Sequence, residues 1–221
     1  MRCVLIFVML LLLCVAAGCA TRPNAPERSG SVGRTDNGCL MGGARLTPSD
    51  DLLVLNPDCS WGTQELVDLI EAVAHEMRQA YPDAPPLVVG DLSREGGGRL
   101  APHASHQSGR DADVAMYALD NRPHRRFVDM TRGELDVPKT WSLIQTFLEK
   151  GHVQYVLLDT AVQKIIYDEI SLFVPERQLA EIFQYPRQRR AREAIIRHAA
   201  GHRDHIHVRI HCPRDDAYCV E

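Results

Sequence analysis

The chain has 221 residues, with 25 Lys and Arg against 29 Asp and Glu, and its formal net charge at pH 7 is −4. Hydrophobic residues make up 45% of it, which is typical of a folded protein, and the charge balance argues against an electrostatic nucleic-acid binder. The nearest thing to a basic run, residues 187–197, has interleaved apolar residues and is more typical of the solvated face of a helix.

The N-terminus has the pattern of an export signal. One Arg precedes an apolar run over residues 4–17, which is shorter than the ~18 or more residues expected of a transmembrane helix. Small residues directly before Cys19 resemble a bacterial lipoprotein cleavage site. We therefore expect residues 1–18 to be removed and Cys19 to be lipidated, with ordinary cleavage nearby as the alternative. Residues 19–38, rich in Pro, Gly, Ser and Asn, predict a flexible tether.

About 180 residues follow, enough for one domain with a single core, which we place at 39–221. Apolar residues at helical spacing after Thr63, a good N-cap, predict a first helix that ends at Tyr81-Pro82. Further helices are expected at 139–150, 161–173 and 176–198, the last interrupted at Pro186, and short strands at Leu87–Val89 and 153–158. This irregular mixture predicts an α+β fold in which helices flank a small central antiparallel sheet.

The last strand-like segment carries two closely spaced histidines. Polar and β-branched residues alternate over residues 204–210, which is the period of a β-strand and places His205, His207 and Arg209 on one face. The opposite face, with Ile206 and its apolar neighbours, should enter the core. Two imidazoles on one face can converge on a metal ion, but a zinc site needs a third protein donor.

A second block supplies candidates for that donor. His106 is followed by the turn-forming pair Ser108-Gly109, and Asp113 then opens an apolar run to Leu119 that is typical of a strand. Imidazole and carboxylate donors without thiolates suit a catalytic zinc ion with an open position for water.

Both blocks together resemble the penicillin-insensitive murein endopeptidase family, within the superfamily of lysostaphin, the D-Ala-D-Ala dipeptidases and the hedgehog domain. The first block has the spacing His-x2-His-x6-Asp from His103, and the second has Gly-His-x2-His-x-His-x-Arg from Gly201. Segments beginning at Cys39 and at Trp61 also look like that family. The resemblance spans about residues 39–221, and its specificity lies in the two histidine-rich blocks.

The resemblance implies that His106, Asp113 and His207 bind Zn²⁺. His205, on the same strand face, is then the candidate for the group that takes the proton of the attacking water, because the pKa of a histidine lies near neutral pH. His202 is the second catalytic candidate by carry-over from the family.

Two neighbouring residues have more than one interpretation. The family pattern marks the position of His103 as close to the metal, where it could be a ligand or could support one. Asp111 would lie on the same strand face as Asp113, and the spacing of the family motif favours Asp113 as the ligand. Asp111 could instead orient a ligand imidazole.

Two further patterns could indicate functional sites. His75-Glu76 begins a His-Glu-x-x-His motif, but residue 79 is Gln, so the zinc motif is incomplete. Residues 96–98 are three glycines flanked by Arg94 and Arg99. A mobile loop there could admit an extended peptide, although flexibility alone would explain the glycines equally well.

The resemblance implies hydrolysis of the D-alanyl to meso-diaminopimelyl cross-link between peptidoglycan stem peptides. These peptides would be the partners of the protein. We expect the protein in the periplasm, lipid-anchored to the outer membrane. One alternative is a D,D-carboxypeptidase or dipeptidase using the same site. Others are a non-catalytic zinc-bearing module that binds the cell wall, and a lipid-anchored structural linker. The sequence does not indicate an oligomeric state.

The cysteines agree with an oxidising compartment. Cys212 and Cys219 are close in sequence around Pro213, which suggests a local disulfide, and the family resemblance implies the same pair. Cys39 with Cys59 is then the remaining pairing.

Overall fold

The structure is a computed structural model that describes residues 30–187, 191 and 193–221. The expected signal peptide, Cys19 and residues 19–29 of the expected tether lie outside the described residues. In the described part of the chain, no helix is both long and apolar enough to cross a membrane.

The described residues form ten strands and four α-helices. The strands are β1 (Gly30–Arg34), β2 (Asn37–Met41), β3 (Ala44–Arg45), β4 (Leu52–Val54), β5 (Trp61–Gly62), β6 (Leu87–Val89), β7 (Asp111–Ala115), β8 (Val153–Leu158), β9 (Ile196–His198) and β10 (His205–Ile210). The helices are α1 (Gln64–Ala80), α2 (Val137–Lys150), α3 (Thr160–Ile170) and α4 (Glu176–Ile182).

Six of these strands form one sheet in the order β4-β6-β7-β10-β8-β9. The four inner strands pair with one another in antiparallel fashion, whereas the edge strands β4 and β9 pair in parallel with β6 and β8, respectively. The predicted α+β class is therefore confirmed. The antiparallel part is the centre of a larger mixed sheet.

Helix α1 forms where its sequence predicts it. The side chain of Thr63 accepts a hydrogen bond from the backbone N–H of Leu66, and the helix ends at Ala80 with Tyr81 as its C-cap. Its apolar face belongs to the same core as the inward residues of α2 and as Val114 and Val208 of the two central strands. The helices thus cover one face of the sheet and leave the other face for polar residues.

The region 176–198 differs from the expected interrupted helix. Helix α4 ends at Ile182, and residues 196–198 form β9, which pairs in parallel with β8. The pairing buries Ile196 completely. Arg197 lies 4.8 Å over the ring of Tyr155. Sheet pairing overrides the helical spacing of the apolar residues at this point, so the expected solvated helix face is wrong for the part of 187–197 that is described.

The N-terminal boundary also needs correction, because an ordered hairpin occupies part of the expected tether. Strands β1 and β2 pair in antiparallel register from Gly30 to Met41. The backbone N–H of Ser31 donates to Asp216 at 2.6 Å, and that of Gly33 donates to the Tyr218 carbonyl at 2.8 Å. Such contacts hold the hairpin to the C-terminal segment, so the ordered domain includes the residues from Gly30 onward and not only those from Cys39.

One of the two expected disulfides is present. Cys212 and Cys219 are bonded. Cys59 is a free, buried thiol, so the pairing of Cys39 with Cys59 is wrong. Burial, together with the nearby Asp91, raises the pKa of the Cys59 thiol, so the reactive thiolate form is disfavoured.

Candidate metal centre

The register between β7 and β10 brings the two histidine-rich blocks together. His207 pairs with Asp113 and Arg209 pairs with Asp111 across the antiparallel ladder. Side chains directly opposite each other on one face of such a ladder lie close enough to interact. The expected strand face of His205, His207 and Arg209 is confirmed, since Ile206 and Val208 are buried on the opposite face.

His106 reaches the same point from a loop. Its backbone is left-handed, with φ 66°, a conformation that is uncommon for residues other than glycine. Two hydrogen bonds hold it there. Its backbone N–H donates to Oδ2 of Asp111 at 2.8 Å, and its Nδ1 lies 2.6 Å from the carbonyl of Leu92. Because a carbonyl can only accept, Nδ1 carries the proton and Nε2 presents its lone pair to the cluster.

Three inward-facing atoms then form a nearly equilateral triangle. Nε2 of His106 is 3.2 Å from Nδ1 of His207 and 3.3 Å from Oδ1 of Asp113. The third edge, from His207 Nδ1 to Asp113 Oδ1, is 3.1 Å. All three residues are almost completely buried.

This triangle fits a metal ion. Atoms that bind a tetrahedral zinc ion at about 2.0–2.1 Å lie about 3.4 Å from one another, close to the observed edges. His103, His106 and Asp113 form a looser group whose ligand atoms all lie within 4.8 Å of one another. Two imidazoles and a carboxylate are donors that zinc accepts, and a fourth position remains beside them.

The outward nitrogen of His207 also has an acceptor. Its Nε2 lies 3.0 Å from Oδ1 of Asp111, which also accepts a 2.5 Å hydrogen bond from Nε of Arg209. Arg209 is in turn stacked on Tyr155 and donates to its hydroxyl. Asp111 therefore orients both histidines of the triangle, because it holds the ring of His207 and the backbone N–H of His106. This is the orienting role that the sequence left open for Asp111.

His103 borders the triangle rather than completing it. Its Nδ1 is 3.6 Å from Oδ2 of Asp113, and its Nε2 is 2.9 Å from Oδ2 of Asp91. Asp91 is itself held by Asn56, which donates to its other oxygen at 2.9 Å. This arrangement turns one ring nitrogen of His103 toward the cluster.

His205 and His202 line the other side of the cluster. Nδ1 of His205 is 2.6 Å from Oδ1 of Asp204, and its Nε2 is 3.5 Å from Oδ1 of Asp113. The ring of His202 is 4.7 Å from that of His205 and 5.6 Å from that of His207. Both expected catalytic histidines therefore lie beside the three buried candidate ligands.

The charges in the cluster stabilise one another. Burial opposes ionisation of Asp111 and Asp113, but the neighbouring histidines, and Arg209 for Asp111, bring the pKa of each carboxyl well below its ordinary value. Burial likewise opposes protonation of His207, yet the two carboxylates raise its pKa to about 9. Both carboxylates are thus ionised at neutral pH.

The two flanking histidines shift in opposite directions. The hydrogen bond to Asp91 raises the pKa of His103, whereas burial, aided by His205 and His207, lowers the pKa of His202. His202 is therefore a neutral ring at physiological pH.

The glycine-rich loop lies beside the site as an ordered segment. Leu40 donates its backbone N–H to the Gly96 carbonyl at 3.1 Å, and Gly98 donates to the Gln107 carbonyl at 2.8 Å. A Cβ on Gly97, which has φ +69°, would lie 2.3 Å from the Gln107 carbonyl oxygen and 2.4 Å from the Leu40 nitrogen. The glycines thus permit close backbone approach behind His106.

Several residues of the site were missed by sequence reasoning. Asp91 and Asp204 each hold a histidine, and Phe127 stacks on His205 with ring centroids 4.9 Å apart. Asp204 directly precedes His205, a signal that could have been used. Nothing in the local sequence indicates the positions of Asp91 and Phe127 in space.

The fold and the site together define a class: an α+β domain whose central sheet carries a buried His-His-Asp group able to hold a metal ion. Comparison with known proteins narrows the class. The model of the family described as penicillin-insensitive murein endopeptidase matches residues 31–221, and the chain belongs to that family.

Named relatives agree with this assignment. The chain is 26% identical over 202 residues to the penicillin-insensitive murein endopeptidase of Haemophilus influenzae, covering 89% of this chain and 68% of the relative. It is 28% identical over 214 residues to the enzyme of the same name from Salmonella arizonae, covering 89% and 71%. The Salmonella typhi protein of that name is 27% identical with the same coverage.

Proposed function

We propose that the protein is a zinc-dependent murein DD-endopeptidase that hydrolyses the D-alanyl to meso-diaminopimelyl cross-link in peptidoglycan. The observation that carries this proposal is the triangle of His106, Asp113 and His207. Its inward atoms are 3.1 to 3.3 Å apart, and the outward nitrogens of both imidazoles have acceptors of their own. The names of the family and of the relatives support murein as the substrate.

In this proposal His106, Asp113 and His207 hold the ion, and His103 stands next to them as a weaker ligand or a supporting group. Zinc in such a site supplies Lewis acidity, which polarises the scissile carbonyl and makes hydroxide available near neutral pH. Asp111 and Leu92 fix the two ligand imidazoles in the tautomers that leave a lone pair for the metal.

His205 is the proposed proton carrier. Its Nδ1 is held by Asp204, so its Nε2 faces the cluster and can accept a proton from the attacking water. The same nitrogen can then return that proton to the diaminopimelyl amine as the C–N bond breaks. Nδ1 of His202 lies 3.2 Å from the Ala200 carbonyl and carries the proton, so Nε2 of this neutral ring has a lone pair that can accept a hydrogen bond from the attacking water.

The cellular setting is part of the same proposal. Residues 1–18 would direct export, Cys19 would carry a lipid anchor in the outer membrane, and the tether before Gly30 would let the domain reach the cell wall from the periplasmic side. The mass of the mature protein would test this, because lipidation at Cys19 adds acyl mass that simple cleavage does not.

The function is tested by digesting purified cross-linked peptidoglycan with the soluble chain from residue 20 onward and resolving the products by mass. We expect cross-linked dimers to become monomers with the zinc-loaded protein, and no conversion with Asp113→Ala or after chelation. Loss of terminal D-Ala alone would indicate a D,D-carboxypeptidase. Stoichiometric zinc without any cleavage would indicate a wall-binding module.

A further inference from the structure

A segment that belongs to none of the strands or helices lies against the proposed proton carrier. Phe127 stacks on His205 with an interplanar angle of 22° and a centroid distance of 4.9 Å. The ring also packs tightly against Gly90, where an added Cβ would lie 2.5 Å from its Cζ atom. Beyond Phe127, the backbone N–H of Met130 donates to the Arg203 carbonyl at 2.9 Å. The segment 122–127 is thereby fixed at the edge of the metal cluster.

This edge carries guanidinium groups without acidic partners. Arg125, Arg126 and Arg203 are exposed, and no carboxylate among the described residues forms an ion pair with any of them. Some exposed cations elsewhere on the surface are paired, as in Lys150 with Glu76 at 2.5 Å and Lys164 with Asp168 at 2.8 Å, whereas Arg94 and Arg99 are exposed and form no ion pair within the described part of the chain. In a chain of net charge −4, Arg125 and Arg126 directly before Phe127, and Arg203 two residues before His205, give this edge a local positive rim.

Two of the three nearby carboxylates have other partners. Oδ1 of Asp204 lies 2.6 Å from Nδ1 of His205, and Asp120 pairs with His124 at 3.1 Å. Asp129, the remaining acid of this stretch, is exposed and makes no ion pair with the described arginines. The guanidinium groups are therefore available to a ligand.

Arg126 can be placed more closely than the other two. It lines a cavity of about 20 Å³ together with Phe127 and Asp204, and Ala115 extends that cavity along the strand that carries Asp113. The volume suffices for about one water molecule. A substrate group would therefore be held at the rim by the guanidinium and not enclosed behind Phe127.

The substrate of the proposed function, on which this inference rests, carries a negative charge that matches the positive rim. Each amine of diaminopimelic acid is attached to a carbon that also bears a carboxyl group. When the cross-linking amine leaves, a free carboxylate on that same carbon lies two bonds from the nitrogen. His205 is the group that would protonate this nitrogen, and the positive rim borders His205.

We propose that Arg125 and Arg126, with Arg203 beside them, form a carboxylate-binding subsite that selects cross-links whose diaminopimelyl carboxylate is free. A guanidinium can bind a carboxylate through two parallel hydrogen bonds, which gives geometric selectivity as well as charge. The subsite would hold the leaving-amine side of the substrate against His205.

The test compares two purified cross-linked muropeptide dimers that differ only in amidation of this carboxylate. The full mature chain with zinc is assayed as wild type, as Arg125→Ala/Arg126→Ala, and as Arg177→Ala, a control on α4 whose side chain is 93% exposed. We expect wild type and the control to have a kcat/KM about tenfold higher for the free acid, which is a typical size for loss of one charge-assisted contact. The double variant should cleave both dimers at the rate of the amidated one, mainly through a higher KM.

The outcomes separate this inference from the proposed function. Equal cleavage of both dimers by wild type, or undiminished discrimination by the double variant with unchanged zinc content, would overturn the subsite while leaving the endopeptidase intact. Cleavage of neither dimer by zinc-loaded wild type would overturn the endopeptidase proposal and the subsite with it. If the Arg125→Lys/Arg126→Lys variant discriminates between the two dimers and the alanine double variant does not, the result would support recognition by charge.

Discussion

The two sides of the candidate metal centre are built differently. Asp113 and His207 sit opposite each other on paired strands, and the alternation of the sheet alone places them together. His106, His103 and His205 depend on loops or strand ends, and each is oriented by an acceptor outside the two strands: Leu92, Asp91 and the adjacent Asp204, respectively. The sheet therefore fixes where the candidate ligands meet and also turns His207 through Asp111, whereas residues outside the two strands turn His106, His103 and His205.

This difference predicts that a sheet-borne ligand is indispensable. His207→Ala removes a corner of the triangle, together with the one buried histidine ring that contacts both Asp111 and Asp113. We expect zinc affinity and hydrolysis of cross-linked dimers to fall by more than about 100-fold, beyond the 10- to 100-fold typical of residues that only orient a ligand. Zinc titration and product analysis measure the two effects.

His75→Ala is the matched control, because His75 lies on the exposed surface of α1 with its side chain 65% exposed. It belongs to the incomplete His-Glu-x-x-His motif, so zinc affinity and activity should be unchanged. If His75→Ala impaired zinc binding as strongly as His207→Ala, the assignment of the ligands would be wrong.

The same contrast explains what the sequence could predict. The alternation over residues 204–210 was enough to place His205, His207 and Arg209 on one face, because a strand has only two faces. The left-handed backbone of His106 and the hydrogen bond from His103 to Asp91 come from tertiary packing, which has no local signal. Likewise, pairing of β9 with β8 overrode the helical pattern after Pro186, and the hairpin from Gly30 escaped notice because its contacts are with the C-terminal segment.

Asp111 and Asp91, the carboxylate acceptors on the two sides of the cluster, should differ in their effect on zinc affinity. Asp111→Asn weakens the contacts to His207, to the backbone of His106 and to Arg209 at once, all in a fully buried position. We expect zinc affinity to fall by 10- to 100-fold, near the top of the range for groups that orient a ligand. Breaking the buried pair with Arg209 should also destabilise the fold by about 3 kcal/mol.

Asp91→Asn affects the loop side alone. It disturbs His103, whose Nδ1 is 3.6 Å from Asp113 and outside the triangle, so we expect a loss in zinc affinity of about tenfold or less. Urea unfolding and zinc titration of both variants give the comparison. Equal losses for Asp91→Asn and Asp111→Asn would show that His103 is a full ligand and that the two sides of the cluster contribute alike.

The smallest expected effect concerns the pH dependence of stability in the chelated protein. The carboxylates of Asp111 and Asp113 raise the pKa of buried His207 to about 9, above its ordinary value of 6.5. A pKa raised in the folded state stabilises the fold most below the ordinary value, and that stabilisation disappears as pH rises through the folded value. The melting temperature of the chelated protein should therefore fall by a few degrees between pH 6.5 and 9, with His103 adding to the decrease and His202 opposing it.

Zinc-loaded protein supplies the control for this trend, since an ion on the lone pair of His207 excludes the proton. Its melting temperature should not show the same decrease, because deprotonation of the ligands favours metal binding as pH rises. The window stops at pH 9, above which the buried thiol of Cys59, whose pKa is raised from 9.0, adds a further loss. A chelated protein whose melting temperature is flat over this window, or rises, would contradict a protonated His207 between the two sheet-borne carboxylates.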